Sequence, residues 1–201
     1  MKGRGARSLW SCAWAALLLG ACSKTPESPI AKTNPNPTQR YEITVELVDP
    51  PRDIRKISGV AHFGVSTRAC LPYRERIARV TIGTSYTREF PLVRVGDSTY
   101  KGHIFLDWPV DEDYYGLGVC KWEIETVGAV IDFGGYKQKP VLWGGTDFPS
   151  AGRKWWCRRP DSQRILENCT SPSDPERVAA ESHDSWLVIL SSHRKQDADL
   201  H

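Results

Sequence analysis

Tyr41-Glu42-Ile43-Thr44-Val45-Glu46-Leu47-Val48 is the stretch that decides the fold. Tyr41, Ile43, Val45 and Leu47 alternate with Glu42, Thr44, Glu46 and Val48. Side chains along a strand point to opposite faces in turn, so this two-residue period predicts a half-buried strand. Asp49-Pro50-Pro51 stops it, because proline has no N–H to give to a ladder.

Working outward, the same signals repeat. Ile57 to Val65 reads as a second strand broken by glycines, Arg79 to Gly83 as a third, and Arg88 to Val95 as a fourth. Gly96-Asp97-Ser98 is a turn, and Tyr100 to Trp108 returns from it, which predicts a hairpin. Val119 to Phe133 is long, β-branched and aromatic, and ends at Gly134-Gly135. Val141-Leu142-Trp143 is short and ends at Gly144-Gly145; Trp186 to Leu190 is the last strand. One helix is expected, because Ser173 and Glu176 make a capping box and Pro175 suits a first turn; it would run to about Ser182. The fold class read from this pattern is mainly β: an antiparallel β-sandwich with one short C-terminal helix and two disulfides.

The N-terminus carries an address. Lys2, Arg4 and Arg7 precede the apolar run Leu9 to Leu19, and Gly20-Ala21 are small residues before Cys22. Eleven residues are too few to cross a bilayer, which takes about 20. They suit a signal peptide. Leu19-Gly20-Ala21-Cys22 resembles the lipobox of bacterial lipoproteins. That resemblance implies cleavage after Ala21, acyl chains on Cys22, and a membrane partner held through the N-terminal lipid. Ser23 after the cysteine resembles the sorting pattern for the Gram-negative outer membrane, facing the periplasm. The expected organisation is a signal peptide over 1–21, a tether over 22–39 rich in proline (Pro26, Pro29, Pro35, Pro37), and one β-rich domain over 40–201.

Processing changes the charge. The whole chain has 27 Lys+Arg against 24 Asp+Glu, a net of +3. Residues 1–21 hold three of the bases and no acid, so the remaining 180 residues carry 24 of each sign. The basic balance belongs to the signal and is no reason to expect nucleic-acid binding. Of six cysteines, Cys12 leaves with the signal and Cys22 is lipidated, leaving Cys70, Cys120, Cys157 and Cys169. An even number in an oxidising compartment favours two disulfides. Three pairings exist; Cys70–Cys120, joining two strand regions, and Cys157–Cys169, closing a local loop, are favoured. The absence of a Cys-x-x-Cys pair argues against zinc.

Two stretches are candidate binding sites. Asp111-Glu112-Asp113-Tyr114-Tyr115, within Asp107 to Cys120, combines three acids and two tyrosines before a glycine-rich segment. It reads as a partner-binding loop, with tyrosines as anchors and acids steering a cationic surface. A calcium loop using Asp107, Asp111 and Asp113 lacks the EF-hand spacing. An ordinary strand corner, with a tyrosine packed near the disulfide, is the plain alternative. The second stretch, Arg153-Lys154-Trp155-Trp156-Cys157-Arg158-Arg159, mixes bases with aromatics. Trp155, Trp156, Arg158 and Arg159 could contact a glycan or a protein. The alternative is a tryptophan packed on the Cys157–Cys169 loop with solvated arginines.

No catalytic residues, metal ligands or cofactors are expected. The five histidines fall in no metal-ligand spacing, Gly-x-Ser-x-Gly is absent, and His183-Asp184-Ser185 is contiguous, whereas triads assemble from distant segments. Asp111 to Trp122, together with the lipobox and the linker, resembles small periplasmic lipoproteins of Gram-negative bacteria, of the kind that act as immunity proteins to secreted antibacterial effectors. The resemblance implies a non-enzymatic inhibitor whose partner is a secreted effector protein. The other expectation is a structural envelope lipoprotein that binds glycan or assists assembly.

Overall fold

The computed structural model describes residues 27, 28, 30–75, 77–145, 148–159, 169–171 and 185–195. Cys22 and the signal peptide expected before it, and the helix expected from Ser173, lie outside the described residues. Twelve strands and one 3-10 turn (Arg68–Cys70) are present in them, so the chain is mainly β.

The first sheet has five strands: β1 (Arg40–Val48), β6 (Val93–Arg94), β7 (Thr99–Phe105), β11 (Ser150–Arg158) and β12 (Ser185–Arg194). Their order is β11-β12-β1-β7-β6, so the stretch Tyr41 to Val48 lies in the central strand. The second sheet orders β10 (Val141–Trp143), β8 (Trp122–Asp132), β2 (Lys56–Val65) and β5 (Ser85–Pro91), with β9 (Lys137–Gln138) also on β8. A separate small hairpin joins β3 (Tyr73–Glu75) to β4 (Val80–Thr81). Every pairing is antiparallel.

The two sheets bury one core between them. β1 sends in Ile43, Val45 and Leu47, as the period of two requires, and β12 sends in Trp186, Val188 and Leu190. Ala61 and Phe63 of β2 and Val127, Ala129 and Ile131 of β8 meet them from the other layer. Burying each large apolar side chain contributes about 1.5–3 kcal/mol against exposure, and that sum fixes which face of each strand turns inward.

Three strand readings shift. The hairpin expected from Arg88 to Trp108 is only partly formed. β5 pairs with β2 in the second sheet, and the chain then crosses at buried Leu92, so that β6 pairs with β7 in the first. Pro91 lacks the N–H that would extend the β5 ladder, which ends there. The long strand expected from Val119 starts at Trp122, because Cys120 is held to Glu112 by a backbone bridge. Ser150–Arg158, which stands out in the sequence for its bases and aromatics, forms the strand β11.

The disulfides are Cys70–Cys120, with Cα atoms 5.3 Å apart, and Cys157–Cys169, 4.0 Å apart. The first fastens a small second core of Cys70, Leu71, Ile82 and Cys120, on which Val65, Tyr114 and Tyr115 pack. The second holds Thr170 against the outer edge of β11, where Trp156 and Thr170 exchange two backbone hydrogen bonds of 2.8 Å.

Candidate functional site

The proline-rich stretch read as a tether is, from Glu27 onward, a strap held on the domain. Asn34 N–H donates to the Trp108 carbonyl (2.7 Å), Val110 N–H to Lys32 (2.9 Å), and Leu106 N–H to Gln39 (3.0 Å). Asp107 organises the strap's end. Its carboxylate accepts the N–H groups of Thr38 (2.8 Å) and Gln39 (3.0 Å), the Thr38 hydroxyl (3.2 Å) and the Asn34 side-chain amide (3.4 Å). Farther back, Lys32 pairs with Glu112 (2.5 Å), Ser28 donates to the Gly83 carbonyl (2.7 Å), and Thr33 meets the Tyr86 hydroxyl (3.1 Å). A lone proline-rich stretch buries little, but prolines such as Pro35 and Pro37 also lower the ordering cost of an extended segment once a partner surface exists.

The acidic-aromatic loop spends most of its polar groups internally. Asp111 accepts the Trp122 N–H (2.9 Å) at the head of β8. Asp113 accepts the N–H groups of Tyr115 (3.2 Å) and Leu117 (3.1 Å). Desolvation pushes its carboxyl up, but the backbone N–H groups of Gly118, Tyr115, Leu117 and Gly116 prevail and hold it below the usual carboxylate range. Gly116 (φ +70°) and Gly118 (φ +107°) supply the left-handed conformations that let the chain curl around this carboxylate. Tyr114 donates to the Val110 carbonyl (2.8 Å) and sets its ring edge-on to Trp122, 6.3 Å between centroids at 90°. Tyr115 donates to the Glu27 carbonyl (2.7 Å). The geometry is that of the strand corner, closed by a tyrosine beside a disulfide. It leaves Leu117 and Val119 half exposed at the tip.

The basic-aromatic stretch is likewise engaged. Trp155 donates its indole N–H to the Val141 carbonyl (2.9 Å), with the Arg153 guanidinium 5.4 Å from a Trp155 ring centroid. Trp156 is half-buried beside Thr170. The Arg158 carbonyl accepts from the buried Gln138 amide (2.7 Å), and Arg159 donates to the Asp49 carbonyl (3.0 Å) and carboxylate. The register separates the two candidate stretches. Residues 111–115 lie at the Arg40 end of β1 and Arg159 at its Asp49 end, about 25–30 Å away along the strand. They do not form one site.

What the fold builds instead is an acidic trough along β8. A cleft of about 640 Å³ is lined by Tyr41, Asp107, Asp111, Trp122, Glu123 and Phe148, among others. A neighbouring cleft of about 560 Å³ adds Gly64, Ser66, Glu125, Thr126 and Trp143, and the two share Glu123, Ile124 and Gly145. Tyr41 and Phe148 pack 4.8 Å apart on one rim, and Trp143, 49% exposed, stands on the other.

Glu125 owes its place to a β-bulge. His62 pairs with Thr126 and Phe63 with Ile124, so Glu125 is the extra residue. Its carboxylate lies over Gly64, in the space any Cβ there would occupy. Glu123 and Glu125 form no ion pair among the described residues. Tyr41, Glu123, Glu125, Trp143 and Phe148 were not candidates from the sequence. A strand that repeats Glu-x-Glu on its open face is the signal that could have found two of them.

Among the described residues no group of three or more His, Cys, Asp or Glu is placed to hold a metal ion, and no helix is long and apolar enough to cross a membrane. No family model, curated protein or solved structure matches the chain.

Proposed function

We propose that this protein is an immunity lipoprotein: anchored through Cys22 to the outer membrane, facing the periplasm, and binding a secreted antibacterial effector to neutralise it. The observation that carries the binding half is the trough, with Glu123 and Glu125 unpaired on a disulfide-braced sheet and aromatic rims on both sides. Two unneutralised carboxylates on a rigid wall attract a basic segment of a partner, steer its approach, and lose little entropy when it binds. Tyr41, Phe148 and Trp143 offer the apolar area that a stable contact needs. A binder of this kind requires complementarity and no catalytic residue. The lipid address puts it where a toxin entering from a neighbouring cell must pass.

The test is a pull-down from the source strain with the mature, acylated protein, its disulfides intact. One secreted protein retained stoichiometrically, and lost with Glu123→Lys plus Glu125→Lys, supports the reading. Retention of peptidoglycan fragments or of resident envelope proteins overturns it. The half-exposed Trp143 favours the second reading, a glycan-binding envelope lipoprotein, since a sugar ring stacks on such a face. Deletion would then sensitise cells to detergent with no attacker present.

A further inference from the structure

The chain between the acylated cysteine and the domain is much shorter than the proline-rich stretch implies. Seventeen residues, 23–39, separate Cys22 from β1 in sequence. The strap is already fixed at Glu27, whose carbonyl takes the Tyr115 hydroxyl, and at Ser28, which donates to Gly83. Four residues, 23–26, lie between Cys22 and Glu27, so even a fully extended chain separates the two by at most about 18 Å. Whatever holds Cys22 holds the Tyr115–Gly83 end of the domain within that distance.

The same end carries exposed apolar side chains on a substructure of its own. It is the small second core, the β3–β4 hairpin and the 113–119 loop, locked together by Cys70–Cys120. Tyr73, Ile77, Val80, Leu117 and Val119 project from it with half or more of their surface exposed or nearly so, and Ile77 is fully exposed at the hairpin turn. Ile30 of the strap, 92% exposed, lies between the Ser28 and Lys32 attachments. The segment 68–83 carries four arginines and one glutamate, and Arg68, Arg74 and Arg79 are exposed. Apolar side chains flanked by arginines suit the boundary between acyl chains and anionic headgroups.

We infer that the hairpin Tyr73–Thr81 and the Leu117–Val119 tip rest on the membrane surface to which Cys22 is anchored, an anionic phospholipid leaflet. This rests on the lipidation of Cys22 in the function proposed above. The trough is lined by Trp122 to Thr126, the first five residues of β8, beside this end of the domain.

The test uses the full acylated protein in its own cells, with p-benzoylphenylalanine placed at Ile77, at Leu117, or at Val95, which lies at the opposite end of the sheets. Irradiation should attach phospholipid at 77 and 117 and leave 95 at least tenfold lower. Arg74→Glu with Arg79→Glu should reduce the yield at 77 severalfold. Mass analysis of the same samples reports whether Cys22 is acylated. Acylated protein with equal lipid attachment at 77 and 95, or with attachment at 77 only to protein, overturns the membrane contact and leaves the lipoprotein reading intact. Protein without acyl chains overturns both.

Discussion

Tyr115 donates its hydroxyl proton to the backbone carbonyl of Glu27 at 2.7 Å, across 88 residues of sequence. Burial pushes the Tyr115 hydroxyl pKa up, so it remains a donor across the physiological range. One hydrogen bond thus ties the start of the strap to the loop carried by the first disulfide. This end of the domain is a single braced unit.

Asp107→Ala should release the strap. Its carboxylate receives two backbone N–H groups, a hydroxyl and an amide, and hydrogen bonds to a charged acceptor are each worth about 1.5–3 kcal/mol. The expected result is a loss of about 2 kcal/mol in urea unfolding, with proteolysis between residues 30 and 39 becoming rapid. A strap as protease-resistant as in the parent protein would show that Asp107 is dispensable.

The two disulfides should differ in weight. Cys70–Cys120 closes a loop of 50 residues and Cys157–Cys169 one of 12. Loop-closure entropy assigns about 4 kcal/mol to the first and about 3 to the second. Cys70→Ser with Cys120→Ser should lower the melting temperature more than Cys157→Ser with Cys169→Ser, measured side by side by calorimetry.

Gly64→Ala should weaken partner binding. The new methyl would occupy the place of the Glu125 carboxylate and push it off the strand. Overpacking costs about 1–3 kcal/mol of stability, whereas the flexible end of Glu125 can yield, so the low end is expected. Affinity for a cationic partner should fall as far with Gly64→Ala as with Glu125→Gln. Unchanged affinity in both variants would remove Glu125 from the binding surface.

Acid should unfold the protein partly through Glu42. Desolvation pushes its carboxyl up, but the hydrogen bond and charge of Lys101 (2.9 Å), with Lys195 and His103 nearby, outweigh it and leave the pKa below 4.5. A carboxyl depressed in the folded state contributes stability that is present above the unfolded value and lost as pH falls through the folded one. Stability should therefore decline below about pH 4.5, and Glu42→Gln should flatten that slope in denaturation curves taken between pH 3 and 6.

Alkali should act through Tyr136. Burial, with the charge of Asp53 adding to it, pushes its hydroxyl from 10.0 to about 12. The unfolded chain ionises first, so stability is intact below pH 10 and falls between 10 and 12. The hydroxyl has no hydrogen-bond partner among the described residues. Tyr136→Phe should then cost nothing at neutral pH and remove part of the alkaline loss, as read from melting temperatures at pH 8 and 11.

Sequence legibility followed the length scale of each force. β1, β2, β7 and β12 were readable because one buried face imposes a period of two on every residue. The sheet switch at Leu92 was not, because Arg88 to Val95 has the same local pattern whether it stays in one sheet or crosses to the other. The strap was hidden for a related reason: Asp107 lies about seventy residues beyond Thr38, and no local signal marks that distance. Asp111, Glu112, Asp113, Tyr114 and Tyr115 stand out in the sequence as a group of acids and tyrosines. Their chemistry is mostly spent on backbone N–H and carbonyl groups inside the corner. Glu125 depended on a bulge, which only the pairing of two strands defines.

The bridge between Trp156 and Thr170 has a consequence for self-association. Among the described residues β11 is an edge of the first sheet, and an open edge templates pairing with another chain. With Cys157–Cys169 holding Thr170 against Trp156, near the Arg158 end of β11, part of that row is already satisfied. The second disulfide thus covers backbone that another copy could otherwise pair with, and reducing it should promote edge-to-edge association.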